Sequence, residues 1–215
     1  MTAISIAGST GLVGSHILTL LKQCSQFDRI HAFSRRDLPA HAKLTTIGSQ
    51  NSTDWPSTFP QNTSAFFSAL GTTARIAGSF TAQRKIDYDL NLALAQSARA
   101  AGVQTYVLIS TSGELDEAVK EIGFEHVIIL KPGLLVGIRE DSRPGEFMGR
   151  SMASFLGKIS GGMLKDAWAQ DADVVARAAV WALLDVTEKS NDESVRVLNQ
   201  QDVIRLGRTE WKDFR

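Results

Sequence analysis

The chain has 215 residues, 23 basic and 23 acidic side chains, and a single cysteine, Cys24. That length suits one α/β domain with a full core. Zero formal charge without a long basic run argues against nucleic acid, and a lone cysteine excludes a disulfide framework and fits a reducing compartment. No stretch approaches the roughly 18 apolar residues of a membrane span. The four histidines, His16, His31, His41 and His126, lack the spacing of a metal site.

The first strand is expected at Ile4 to Ala7, too early to leave room for a cleaved presequence. It runs into Gly8-Ser9-Thr10-Gly11-Leu12-Val13-Gly14 and then an apolar helix from Ser15 to Cys24. Gly8 allows a tight turn after the strand, Gly11 a close approach of backbone to a pyrophosphate, and Gly14 close packing of helix on strand. The triplet is spaced G-x-x-G-x-x-G, one residue off the commonest fingerprint, and the flanking strand and helix supply the confirming context for a dinucleotide.

Further β-rich runs at Arg29 to Ser34, Leu44 to Ile47, Ala65 to Leu70, Thr105 to Ser110 and His126 to Leu130 alternate with helical patterns. This predicts a Rossmann-type doubly wound parallel sheet covered on both faces. A helix is expected over Ile86 to Ala101, stopped by Gly102, with Asp87 and Asn91 one turn apart on it. One domain spans 1–215, with a core to about 135 and a small C-terminal substrate-side lobe over about 136–215. The lobe contains a helix from about Asp173 to Leu184 and the aromatics Phe147, Phe155, Trp168 and Trp181, which suit core packing or a substrate pocket. Val195 to Leu198 and Val203 to Leu206 are expected to form a hairpin or an edge strand around Asn199-Gln200-Gln201-Asp202.

The second strand ends Ser34-Arg35-Arg36, where a site for NAD usually carries an acidic residue for the ribose hydroxyls. Ser34 brings no repelling charge, and the guanidinium of Arg35, or next Arg36, suits a 2′-phosphate and adenine stacking. NADP(H) is therefore the expected cofactor. Leu70, Gly71 and Thr72, after the fourth strand, lie at the sheet edge where its backbone is expected to pass.

With the glycine triplet, Ser34-Arg35-Arg36, Leu70-Gly71-Thr72-Thr73, Asp87-Tyr88, Asn91, Val107-Leu108-Ile109-Ser110 and Lys131-Pro132-Gly133 in order, the chain resembles the atypical short-chain dehydrogenase/reductases. It looks closest to the Tat-interactive-protein-like branch, and its tail Ile204 to Lys212 looks like that of fungal members associated with the mitochondrial outer membrane. The resemblance implies bound NADP(H), with Ser110, Pro132 and Gly133 also near the cofactor. It implies a cytoplasmic-side location, peripheral on that membrane. It also implies reduction of a carbonyl by a Ser, Tyr and Lys group, in which the serine holds the oxygen, the tyrosine gives a proton and the lysine lowers its pKa.

Ser112 matches the family's serine, with Thr111 as the alternate. The tyrosine and lysine have no match: Tyr88 and Tyr106 are the two tyrosines, and neither has a lysine four residues on. After Ser112 the chain reads Gly113-Glu114-Leu115 directly, so the crossover to the next strand is short for its job. Either the segment is truly lost, or the sequence joins the ends of an omitted loop, the reading favoured here. Three functions compete. An NADP-dependent oxidoreductase acts on a small carbonyl or alcohol; a non-catalytic NADP(H)-binding regulator presents a surface to a protein partner; sugar-nucleotide epimerisation needs a tyrosine and a larger lobe, and ranks last.

Overall fold

The computed structural model describes residues 2–110, 112–136, 169–189 and 193–211. Strands β1 (Ala3–Ala7), β2 (Arg29–Ser34), β3 (Leu44–Gly48), β4 (Thr63–Ser68), β5 (Thr105–Ile109), β6 (His126–Leu130) and β9 (Val195–Leu198) form one sheet in the order β3-β2-β1-β4-β5-β6-β9. All its pairings are parallel. Two further strands, β7 (Leu134–Val136) and β8 (Ala169–Asp171), pair with each other.

The two-residue period of the strands sends alternate side chains to opposite faces. On one face Ile4, Ile6, Ala65, Phe67, Val107 and Ile128 meet α1 (Leu12–Gln23) and α6 (Ala172–Lys189). On the other face Phe33, Phe66, Tyr106, Leu108 and Ile129 meet α4 (Asn91–Ala100), α5 (Gly113–Lys120) and a 3-10 segment, Ser52–Thr58, which brings in Trp55. Burial on both faces explains why the central strands read as continuous apolar runs.

One helix of the expected C-terminal lobe packs into the main core. Val175, Ala176, Ala179, Val180 and Leu183 of α6 belong to the main core beside α1, so this helix completes the domain's outer layer. Trp181 packs against the same cluster, whereas Phe147, Phe155 and Trp168 lie outside the described residues. β9 is an edge strand as expected, but Val203 to Leu206 is helical. Asn199 accepts from the Gln201 and Asp202 N–H groups while Asp202 accepts from the Asn199 N–H, a capping box that starts α7 (Gln200–Ile204).

The short crossover closes. β5 and β6 pair in register from Thr105 with His126 to Ile109 with Leu130. A five-residue strand rises only about 17 Å, and the eight residues of α5 return about 12 Å of it, leaving the rest to the connection before β6.

The π-helical turn Arg205–Thr209 after α7 packs on α6 so closely that a Cβ on Gly207 would stand 2.1 Å from the Val174 carbonyl oxygen. Gly207→Ala is expected to destabilise the fold by about 2 kcal/mol or more through overpacking against backbone. Urea denaturation checks this: an unchanged midpoint would show that the two helices can part freely.

Candidate functional site

Strand order reverses between β1 and β4, which are neighbours although β2 and β3 intervene in sequence. The chain leaves β1 toward one side of the sheet and β4 toward the other, opening a crevice beyond their carboxyl ends. Each loop singled out from the sequence leaves the same edge.

The glycine turn is locked by backbone alone. Gly8 has φ +82°, and a Cβ there would stand 2.3 Å from the Ala69 carbonyl oxygen; one on Gly14 would stand 2.1 Å from the Gly8 carbonyl oxygen. The Gly11 N–H donates to that same Gly8 oxygen at 2.8 Å, and the Ala69 N–H donates to Ala7 at 3.0 Å. The turn after β1 and the loop after β4 thus touch where only hydrogen fits. α1 starts at Leu12 with Gly11 as its N-cap, which has no side chain to cover the first-turn N–H groups. Val13 and Gly14 are buried and Thr10 is exposed. The Ser9 hydroxyl is buried without a hydrogen-bond partner among the described residues. A buried hydroxyl left unpaired costs about 1–3 kcal/mol, and its position beside an uncapped helix N-terminus suits a phosphate oxygen. The residues therefore fit a dinucleotide.

The buried Ser34 hydroxyl donates to the Arg36 carbonyl at 2.6 Å and accepts from the Arg36 N–H at 3.2 Å. That bracket sets the turn after β2 and leaves Arg35 and Arg36 exposed on its outer side.

β4 ends at Ser68, so Ala69 and Leu70 belong to the loop that carries Gly71 and Thr72 toward the short helix α2 (Ala74–Ala77). The expected single helix over Ile86 to Ala101 is broken into a π-helical turn, Lys85–Leu90, followed by α4. Asn91 explains the break. Its amide donates to the carbonyls of Ile86 and Asp87, at 3.2 and 3.1 Å, and accepts from the Ser68 hydroxyl. One turn back, the Asp87 carboxylate accepts from the Thr72 N–H at 2.8 Å and from the Gln83 side chain, on α3 (Phe80–Arg84), at 2.9 Å. Asp87 and Asn91 are thus positioning residues for the β4 loop, and π-turns are frequent at functional sites.

Beyond β5, the Ser110 hydroxyl donates to the Ser112 carbonyl at 3.2 Å and accepts the Ser112 N–H at 3.1 Å. Ser112 is the N-cap of α5, its hydroxyl makes no capping bond, and the residue lines a cleft of about 280 Å³. Leu70, Phe80, Arg84, Asp87, Tyr88, Ile109, Ser110 and Leu115 share the lining. Thr111, the alternate serine position, lies outside the described residues. Pro132 and Gly133 leave β6 at the same edge without lining the cleft; Gly133 packs close to the Gln200 side chain.

Three features escaped the sequence reading. Arg84 makes a two-pronged ion pair with Glu114, 2.6 Å on each arm, and lies over the Tyr88 ring at 4.5 Å. The Arg84 hydrogen bond holds the Glu114 carboxyl below the usual range. Lys131 pairs with the buried Asp116 carboxylate at 2.7 Å, a hydrogen bond that raises the lysine's pKa. The ion-pair partners stand 30 and 15 residues apart in sequence, so no local spacing announces them; Arg84 and Tyr88 are four apart, a helical spacing that could have been read. Tyr106, by contrast, is sealed between Phe66 and Phe124; burial pushes its phenol well above the ordinary range, and it is no proton donor to the cleft. Among the described residues no cluster of metal ligands occurs.

The family model of the NAD dependent epimerase/dehydratase family matches residues 4–128. "Protein fmp52-1, mitochondrial" of Aspergillus terreus is 44% identical over 232 residues, covering 97% of this chain and all of that protein. "Protein fmp-52, mitochondrial" of Neurospora crassa is 36% identical over 99% of this chain and 98% of its own length. Since 97% of 215 residues is about 208, the Aspergillus alignment holds about two dozen positions without a counterpart here. Among solved structures, UDP-glucuronic acid 4-epimerase of Bacillus cereus, in complex with UDP-glucuronic acid and NAD, superposes with a TM-score of 0.67 at 14% identity. The match covers 92% of this chain and 77% of that one. MoeE5, in complex with UDP-glucuronic acid and NAD, gives 0.63 at 19%, covering 92% and 75%. At such identities the likeness is one of fold.

Tyr106 carries a pH dependence. Its folded pKa lies above the unfolded value of about 10, so its contribution is complete below that pH and is lost as pH rises beyond it, where the unfolded state holds fewer protons. Urea midpoints of the wild type are expected to fall above about pH 10, less steeply in Tyr106→Phe; parallel curves would contradict the burial of this phenol.

Proposed function

The chain belongs to the NAD dependent epimerase/dehydratase family, a family of NAD(P)-dependent enzymes, and from that premise we propose that it is an NADP(H)-dependent oxidoreductase acting on a small carbonyl or alcohol. The observation that carries the reading is the glycine-only cradle with the orphaned Ser9 hydroxyl at the start of α1. Gly8 to Gly14 would hold the pyrophosphate, and Leu70, Gly71 and Thr72, fixed by Asp87, would border the cofactor on the β4 side. Arg35 and Arg36 would take the 2′-phosphate, with the uncharged Ser34 as the last residue of β2 and Asp37 beside the arginines tempering their field.

When bound, the nicotinamide supplies the hydride that reduces a carbonyl carbon, or accepts it in the reverse direction. The charge that then develops on the carbonyl oxygen needs a donor aimed at it. Ser112 has a hydroxyl uncommitted to its helix, and Ser110 fixes the backbone on which it stands. The proton must come from a positioned acid. Tyr88 is the phenol on the cleft in this chain. The extra residues of the relatives are assigned here to the stretch after Ser112, where the resemblance expects Tyr-x-x-x-Lys. Fungal relatives named mitochondrial support a mitochondrial place for the chain; the Tat-interactive-protein-like branch and a peripheral position on the cytoplasmic side of the outer membrane rest on the resemblance alone. Among the described residues no helix is long and apolar enough to cross a membrane.

One observation favours a second reading. Without a Tyr-x-x-x-Lys pair, the chain keeps what cofactor binding needs and lacks the acid that speeds chemistry, which suits an NADP(H)-binding regulator read by a protein partner. Loss of NADPH absorbance with a series of aliphatic aldehydes from propanal to nonanal decides between them. A reductase is expected to turn over and to lose about 10²–10³-fold in kcat for Ser112→Ala; NADPH binding with no turnover assigns the regulatory role. In either case Arg35→Ala or Arg36→Ala is expected to reduce the preference for NADPH over NADH about tenfold or more, and an unchanged preference would contradict the placement of the 2′-phosphate.

A further inference from the structure

The fold is shared with proteins solved with nucleotide sugars, yet the described lining of the cleft beside Ser112 offers such a ligand an unfavourable charge and little room. Among the described residues the arginine on its lining, Arg84, gives both guanidinium arms to Glu114 and its face to Tyr88. With Asp87 also on the wall and Glu114 beside it, the charges there sum to minus one, which repels a diphosphate. The apolar wall is made by Leu70, Phe80, Ile109 and Leu115. Phe80 is 82% exposed and Ile76, on the preceding short helix, 46%. Phe80 therefore contributes little to the core and stands at the rim of the cleft. At about 30 Å³ per water-sized group, 280 Å³ holds about nine non-hydrogen atoms, a fraction of a nucleotide sugar.

We propose that this cleft takes an uncharged, medium-chain aliphatic carbonyl compound, with the carbonyl at Ser112 and the chain along Leu70, Ile109, Leu115 and Phe80, and that the Arg84–Glu114 pair rejects anionic substrates. The assignment rests on the oxidoreductase reading of the same site. Selectivity has two sources. Each methylene laid on the wall leaves water and tightens binding, while a carboxylate or phosphate meets an arginine already satisfied by Glu114 and the net negative charge left by Asp87.

Unreactive carboxamides serve as carbonyl probes in titration calorimetry of the full chain. NADP+ is titrated first, and pentanamide, heptanamide and nonanamide follow in its presence. Affinity is expected to rise about two- to fourfold per methylene and to level off near nine non-hydrogen atoms. The Phe80→Ser variant, changed at an exposed rim position, is expected to flatten that rise. Heptanoate is expected to bind at least several-fold more weakly than heptanamide in the wild type, a gap that Glu114→Gln narrows by freeing one arm of Arg84. Affinity independent of chain length, an unchanged slope in Phe80→Ser, or tighter binding of heptanoate or UDP-glucuronic acid than of heptanamide by the wild type overturns the assignment. The cofactor titration separates the two failures. If NADP+ does not bind while the amides follow chain length, the oxidoreductase reading falls and the apolar cleft stands; if NADP+ binds and the amides do not discriminate, the reverse holds.

Discussion

Gly8 sits in the left-handed region with the Ala69 carbonyl where a side chain would be, and its own carbonyl lies against Gly14. Three stretches of backbone, the turn after β1, the loop after β4 and the first turn of α1, meet there without a side chain between them. The approach costs conformational freedom at both glycines, and the parallel pairing of β1 with β4 holds it in place. Because those strands flank the point where the sheet changes direction, the contact also decides where a ligand can reach polar backbone. A Ser9 hydroxyl without a partner among the described residues and an uncapped helix start are left beside the crevice.

The rest of the site is layered on that contact. Asn91 joins the end of β4 to the π-turn, Asp87 joins the π-turn to the β4 loop, and Arg84 ties α3 to the start of α5 through Glu114. The cleft is therefore bounded by short, cross-linked pieces, and a change in one tie is felt by its neighbours. Exposed ion pairs of this kind add little to stability; the value of Arg84–Glu114 lies in the charge it removes from the cleft.

How much of this was legible follows from range. The β1-turn-α1 unit was readable because its meaning is local: three glycines at fixed spacing between a strand and an apolar helix. The limits of β2 and β6 agree with the observed strands because buried parallel strands are dense in β-branched and aromatic residues. Val203 to Leu206 looked like a strand by the same measure, but Asn199 and Asp202 form a capping box, a local signal that apolar alternation outweighed. The break in the helix at Lys85–Leu90 had no such signal, since it depends on Asn91 reaching Ser68, 23 residues earlier. Arg84 and Glu114 are 30 residues apart, and only the folded chain brings them together. The crossover after Ser112 looked too short on strand length, yet a five-residue β5 and an eight-residue α5 close it.

The central claim is that the Gly8–Gly14 turn seats the pyrophosphate of NADP(H). Titration of NADPH with the purified chain, followed by the nicotinamide fluorescence, tests it directly in the wild type and in Ser9→Ala, which removes the orphaned hydroxyl without touching the glycines. Saturable one-to-one binding, weakened in the variant, is the expected result. Absence of saturable binding, or identical curves for the two proteins, would contradict the account.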